Sequence, residues 1–276
     1  MTFVSSNLYT GKDNVMFQTA FSMAQQTQKA KCSTGITILD DLLEGGFEPG
    51  LSYLLYGSPH CTQMLQQSVA IALEQISPDH GVAVIDANNG IRPDTIISHL
   101  RTTSQQTPPA RYLNRLHVAR AFTTDQLLSL LDDAVNAIQE HKAPILFVNG
   151  LMHLVQEEEE GQPISQSPRA PPDPRVFRRA QLATHLKQLA FTQQIAVVVS
   201  ADAPKRLTKP PLRLGQTARH RFHVLIHHSR KDNVETFTLE KHPSRPWLQR
   251  STVTPRVRRY PATQQTLLFD IVNPFD

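Results

Sequence analysis

Apolar residues along this chain follow two alternating rhythms: short continuous runs, and longer stretches with an apolar position every third or fourth residue. The runs at 51–56, 81–86, 116–119, 144–148 and 195–200 are rich in Val, Ile and Leu and predict buried strands. Between them lie helical patterns. Ile38, Leu39, Leu42 and Leu43 form an amphipathic turn that reaches Gly45 and Gly46, and Leu65, Val69, Leu73 and Ile76 share one face of a helix opening at Thr62 or Gln63. Pro93, suited to a first helical turn, precedes Ile96, Ile97 and Leu100. Leu127, Leu130, Leu131, Ala134, Val135 and Ile138 make a regular face behind a capping box of Thr123 and Gln126. Leu182, Leu186 and Leu189 mark a helix over 175–192, while 102–111 reads as a loop. Two further strands, 222–227 and 235–239, are joined by Lys231-Asp232-Asn233 and read as antiparallel. The sum is an α/β domain, a mainly parallel sheet flanked by helices with a C-terminal antiparallel hairpin.

Three stretches break these rhythms. Residues 156–174 (QEEEEGQPISQSPRAPPDP) hold four consecutive glutamates and five prolines, too little apolar area to fold alone, and read as a disordered loop within the domain. Residues 1–30 form an N-terminal segment and linker, with Met16, Phe17, Ala20, Phe21 and Ala24 on one helical stripe. Residues 256–276 are a tail that follows a core spanning 31–255. The tail gathers Leu267, Leu268, Phe269, Ile271, Val272 and Phe275, so something should cover it.

A chain of 276 residues can bury one sizeable core, and its 2 cysteines, Cys32 and Cys61, supply no disulfide framework. No apolar run approaches the roughly 18 residues of a membrane span, and the polar start is no signal peptide. These features point to a reducing compartment: the cytoplasm (nucleoid), or the nucleus in a eukaryote. The net charge of +4 conceals an asymmetry, since half of the 28 Lys and Arg residues lie between Pro204 and Arg259. Interleaved with Phe222, Trp247 and Tyr260, they suggest a polyanionic partner, nucleic acid above all, against the alternative of a solvated surface. Histidines 220, 223, 227, 228 and 242 are close in sequence or across the hairpin. They read as surface strand residues, with a metal site as the other option.

Residues 51–76 have the strand, loop and helix order that lets backbone N–H groups hold phosphates. The loop departs from that chemistry. A working loop has six residues between its first glycine and its Ser/Thr, including a second glycine and a lysine, whereas only Ser58, Pro59, His60 and Cys61 separate Gly57 from Thr62. Pro59 also removes a donor. The site reads as a tight turn without a required cofactor; the alternative is ATP with Mg²⁺ held by Gly57, Ser58, Thr62 and Gln63.

Several strings in this order resemble the RecA/RadA family of recombinases, the RadA type in particular, over about 15–255. They are Phe17-Gln-Thr-Ala20, the stretch STGITILDDLLEGGF at 33–47, DANNGIRP at 86–93, HVARAF at 117–122 and KHPSRP at 241–246. The resemblance implies a RecA-like P-loop fold. It also implies that Asn88 stands where the family has a water-orienting glutamate, and Asn149 where it has an aspartate in the Mg²⁺ shell. An amide can neither act as a base nor neutralise a cation. With the lysine absent too, no catalytic residue is expected.

The same resemblance implies DNA-contacting loops at about 151–178 and 201–219. In the first, Glu157–Glu160 repel phosphate, though Arg169, Arg175, Arg178 and Arg179 follow. In the second and just beyond it, Lys205, Arg206, Lys209, Arg213, Arg219 and Arg221 suit backbone contacts, to single-stranded DNA first. Phe17 and Ala20 match a linker pair that docks on a neighbouring subunit, the chain itself or another recombinase. In the tail, Gln265, Leu268 and Phe269 resemble the pattern by which repair proteins hold a sliding clamp. The implied role is accessory or mediator in homologous recombination and DNA repair, without ATP hydrolysis. The rivals are a divergent DNA-dependent ATPase with a non-standard phosphate site, and an interaction scaffold without DNA affinity.

Overall fold

In the computed structural model the residues described are 30–103, 108–151, 153–154, 174–201 and 220–253. They form eight strands: β1 (Ser52–Tyr56), β2 (Val82–Asp86), β3 (Leu116–Arg120), β4 (Ile145–Asn149), β5 (Ala196–Ala201), β6 (Val224–Lys231), β7 (Val234–Lys241) and β8 (Leu248–Val253). The helices that position them are α1 (Thr37–Leu43), α2 (Cys61–Gln75), α3 (Pro93–Thr103), α4 (Pro109–Leu113), α5 (Thr124–Glu140) and α6 (Pro174–Gln193). One sheet runs β3-β2-β4-β5-β1-β6-β7-β8. Its first six strands are parallel, and β7 and β8 return antiparallel.

The period-two alternation of a strand divides each apolar run between the two faces. Leu54, Tyr56, Ile85 and Val148 face a core closed by Leu127 and Leu131 of α5 and by Leu182, Leu186 and Leu189 of α6. Tyr53, Leu55, Val84 and Phe147 face the opposite core, closed by Leu39 and Leu43 of α1, Leu65, Val69 and Leu73 of α2, and Ile96 and Leu100 of α3. Because both faces are covered, the four central strands β2, β4, β5 and β1 are buried along their whole length and read as mainly apolar runs. No described helix is long and apolar enough to cross a membrane. Both cysteines are free.

Three local expectations are corrected or extended. The segment 102–111 is not all loop: α3 continues to Thr103, and Pro109 opens α4 as a first-turn proline. The expected hairpin of β6 and β7 is present and is extended to a three-stranded meander by β8, which pairs with β7 in register from Leu239↔Leu248 to Val234↔Val253. The string LQRSTV has apolar residues only at its ends, which suits an edge strand but gives no run to detect. The capping box is displaced by one residue. Thr123 Oγ1 accepts from the Gln126 N–H at 3.2 Å, while Gln126 Oε1 accepts from the N–H of Phe122 rather than that of Thr123.

An ion cluster ties the β7–β8 turn to the end of α1. The Arg245 side chain, only 9% exposed, donates from Nη2 to Glu48 Oε1 at 2.6 Å and from Nη1 to His242 Nε2 at 2.8 Å, and its Nε lies 3.3 Å from Glu44 Oε2. Lys31 Nζ reaches the same Glu48 oxygen at 3.1 Å. Burial alone would push the Glu48 carboxyl up, but hydrogen bonds from Arg245 and Lys31 hold it below its ordinary value. Removing Arg245 takes from the half-buried Glu48 one of its two cations and leaves the space of a buried guanidinium behind. Arg245→Ala should therefore lower unfolding free energy by about 3 kcal/mol in urea denaturation. Arg245→Lys should recover only part of that, because an ammonium cannot fork to two carboxylates and a histidine at once.

Candidate functional site

The buried run of β1 ends at Gly57, whose φ of +108° disfavours a side chain. A Cβ there would lie 2.4 Å from His227 Cδ2 and 2.6 Å from the His228 carbonyl oxygen, so β6 leaves room for glycine alone. The turn that follows is closed on itself. Ser58 Oγ accepts from the His60 N–H at 3.0 Å and lies 2.8 Å from His228 Nδ1, and Ser58 O accepts from the Cys61 N–H at 3.3 Å. A hydroxyl that accepts from His60 can still give its proton to Nδ1 or accept one from it, and the other ring nitrogen, Nε2 of His228, is buried without a partner. Burial, then the neighbouring His60, His227 and Arg230, push the His228 pKa down to about 4, so the ring is neutral.

Helix α2 opens at Cys61, and Thr62 in its first turn points to the ends of β2, β4 and β5. Those ends are joined by one amide. Asn149 Oδ1 accepts from Thr62 Oγ1 and from Ser200 Oγ, each at 2.9 Å. Its Nδ2 donates to Asp86 Oδ1 at 2.9 Å and to Asn88 Oδ1. Two acceptor positions and two donors are all that a primary amide has, so Asn149 is saturated and its orientation is fixed by its partners. Ser200 Oγ in turn accepts from the Gly150 N–H at 3.0 Å. Gly150 has φ +72°, and a Cβ there would meet Asn88 Cγ at 2.4 Å.

The fully buried Asp86 is the one carboxylate in this network. It accepts from the N–H groups of Gly90 (3.1 Å) and Ile91 (3.0 Å) besides Asn149, and Arg120 Nε stands 3.8 Å away. These donors satisfy a buried charge without a metal ion. A nucleoside triphosphate with Mg²⁺ asks for a lysine, a loop with free N–H groups and an acidic ligand facing the metal. The residues present do not fit that demand: the turn has no lysine, its His60 and Cys61 N–H groups are bonded to Ser58, and the Thr62 hydroxyl donates to the amide of Asn149 rather than to a carboxylate.

Of the residues expected to form the site, Thr62, Asn88 and Asn149 meet in one network, Gly57 and Ser58 lie in the turn beside it, and Gln63 is exposed with its Oε1 on His60 Nδ1 at 3.0 Å. Arg221 is exposed next to α6. Lys205, Arg206, Lys209, Arg213, Arg219, Phe17, Ala20, Gln265, Leu268 and Phe269 lie outside the described residues, as do 156–173 and 254–276. The histidines are not surface strand residues as a group. His228 and His242 are buried, and His223 Nδ1 accepts from the Ser52 N–H at 3.0 Å; among the described residues no cluster suited to a metal ion exists. Sequence reasoning passed over Ser200, quoted Asp86 only within a family string, and read His228 as a surface strand residue; an acid closing a β-branched run was the available signal for Asp86.

Because Asn149 both donates to and neighbours Asp86, its acid counterpart cannot replace it. Asn149→Asp loses two donors and sets two carboxyls about 3 Å apart, where only one can ionise readily. The variant should lose about 2 kcal/mol of stability near pH 7.5 and less near pH 5, where one of the pair takes a proton. Urea denaturation at the two pH values checks this; an equal loss at both would contradict the like-charge explanation.

Comparison with known proteins places the fold in a lineage. Residues 25–207 match the model of the Rad51 family. Among curated proteins, the chain is 29% identical over 181 residues to DNA repair protein RAD51 homolog 4 of Bos taurus, a match covering 63% of this chain and 53% of that protein. The chain thus spans about half the length of this relative. With a sheet mostly parallel, an antiparallel C-terminal edge and a family match over more than half its length, the chain belongs to the Rad51 family of RecA-fold proteins.

Proposed function

We propose that this protein is an accessory or mediator in homologous recombination and DNA repair that binds DNA and recombinase subunits and does not turn over ATP. The observation that carries this reading is the commitment of Asn149. All four of its hydrogen-bonding positions are used by Thr62, Ser200, Asp86 and Asn88, so the place where the family's metal chemistry would occur is occupied by internal hydrogen bonds. The closed Gly57–Cys61 turn supports it. Family membership and the name of the cattle relative support the repair setting, and the cation excess between Pro204 and Arg259 supports nucleic acid as ligand. Single-stranded DNA is the form we propose, through Lys205, Arg206, Lys209, Arg213, Arg219 and Arg221.

Two measurements test this together. Phosphate release from ATP with single-stranded DNA present should stay at background; release abolished by Thr62→Ala would sink the reading. Anisotropy of a labelled oligonucleotide should show binding whose log affinity falls against log salt with a slope of about −4 to −5, as expected when about five to seven phosphates are neutralised.

The proposed contact with a recombinase subunit, or with a second copy of the chain, runs through Phe17 and Ala20. On the receiving side, β3 is the sheet's terminal strand, and Val118 and Phe122 beside it are 43% and 66% exposed. Burying one phenylalanine contributes roughly 1.5–3 kcal/mol, enough to decide assembly. Light scattering of Phe17→Glu should show a smaller species than the wild type, whereas unchanged assembly would reject this contact.

A further inference from the structure

A groove separate from the Asn149 network runs between α6 and the residues leading into β6. Ala180, Gln181, Thr184, His185 and Gln188 of α6 form one wall and Arg221 the other, around about 340 Å³. That is within the size range of small-ligand sites, roughly 300–1,000 Å³. Thr184 fixes the arginine: Arg221 Nη1 donates to Thr184 Oγ1 at 2.5 Å, and Oγ1 donates to the Ala180 carbonyl at 2.7 Å. Arg221 precedes β6 by three residues, and beside it in sequence His223 meets Ser52 at the start of β1. The Asn149 network lies at the C-terminal ends of the strands.

The charge around the groove is mainly positive, with one carboxylate, Asp132, beside the lining residue His185. Burial, then Lys187 and Lys241, push the His223 pKa down to about 4. Burial, then Lys187, hold the Lys241 ammonium below its ordinary value. Lys187 on α6 is therefore close enough to disfavour charge on both. Lys241 is itself anchored, donating to the carbonyls of His220 (2.8 Å) and Phe222 (2.6 Å). His185 is paired with Asp132 at 3.2 Å, but among the described residues no carboxylate pairs with Lys187, Arg221 or Lys241. Cations gathered in a concave, partly dry place without counter-ions create a potential that an anion relieves.

We propose that this groove holds one nucleotide unit of a bound nucleic-acid strand, its phosphodiester toward Arg221 and Lys187. The two exposed amides, Gln181 and Gln188, offer both donors and acceptors at the mouth, which match a base edge. In sequence, the groove is flanked by Arg175, Arg178 and Arg179 on one side and by the Lys205–Arg219 cations on the other. The proposal rests on the DNA-binding reading above and adds a site at α6 that the loop cations alone do not specify.

The test uses the full chain and a labelled single-stranded oligonucleotide, with poly-glutamate as the second probe. Gln181→Glu with Gln188→Glu places two carboxylates at exposed positions, where the fold tolerates them, and Lys187→Gln removes one charge. The double variant should bind the oligonucleotide about tenfold more weakly at about 50 mM salt, and Lys187→Gln should make the salt slope shallower by about 1. If the wild type binds and both variants keep affinity within about twofold with an unchanged slope, the groove is not on the strand's path and the proposal fails. Poly-glutamate binding that the double variant loses while oligonucleotide affinity persists would also overturn it, in favour of an acidic peptide. A wild type that binds no oligonucleotide overturns the DNA-binding reading itself, a result distinct from the first two.

Discussion

Four strand and helix ends converge on a single primary amide, and the centre of this molecule depends on that amide keeping both of its faces. As acceptor, Asn149 holds Thr62 of α2 and Ser200 of β5; as donor, it holds Asp86 and Asn88 at the end of β2. An acid could do the first but not the second, and an aliphatic residue could do neither while leaving a buried carboxylate short of a donor. The buried Asp86 needs it as much as it needs Asp86, because the other donors to that carboxylate are backbone N–H groups whose positions the same network helps fix. The site is thus a mutual arrangement in which no member is replaceable alone.

The turn after β1 follows the same logic at a second place. Its backbone is steered by a glycine that β6 leaves no room to replace, and its serine is held between its own chain and a neutral, buried histidine from that strand. Where a phosphate-binding loop keeps its donors aimed outward, this one turns the His60 and Cys61 N–H groups inward onto Ser58. The two closures are linked through α2, whose first turn begins in the closed loop and whose Thr62 hydroxyl ends in the amide network.

Much of the fold was legible because strands buried on both faces read as unbroken apolar runs, and helices against them as regular stripes. β8 was not legible, since an edge strand with an exposed polar middle has no run, and α4 was hidden inside a segment dense in proline and polar residues. At the site, the identities of Asn88 and Asn149 were visible as departures from a family pattern. Their purpose was not, because saturation is a property of four partners spread from Thr62 to Ser200. His228 escaped for a similar reason: it meets Ser58 across 170 positions of sequence, and a string of histidines on a strand says nothing about which of them turns inward.

Asn149 is followed by Gly150, and this pairing carries a chemical liability. Asparagine before glycine ages quickly in a flexible chain, because the next backbone nitrogen, unhindered by a Cβ, attacks the side-chain amide carbon and releases ammonia through a cyclic imide that reopens partly to aspartate. In the fold that nitrogen is turned toward Ser200 Oγ, with φ at +72°, and the amide is held by four partners. The fold therefore shields this linkage, unlike the second Asn-Gly pair of the chain, Asn89-Gly90, whose asparagine is exposed. Each opening of the strand ends exposes it, and an aspartate formed there would face Asp86 and disfavour reclosure.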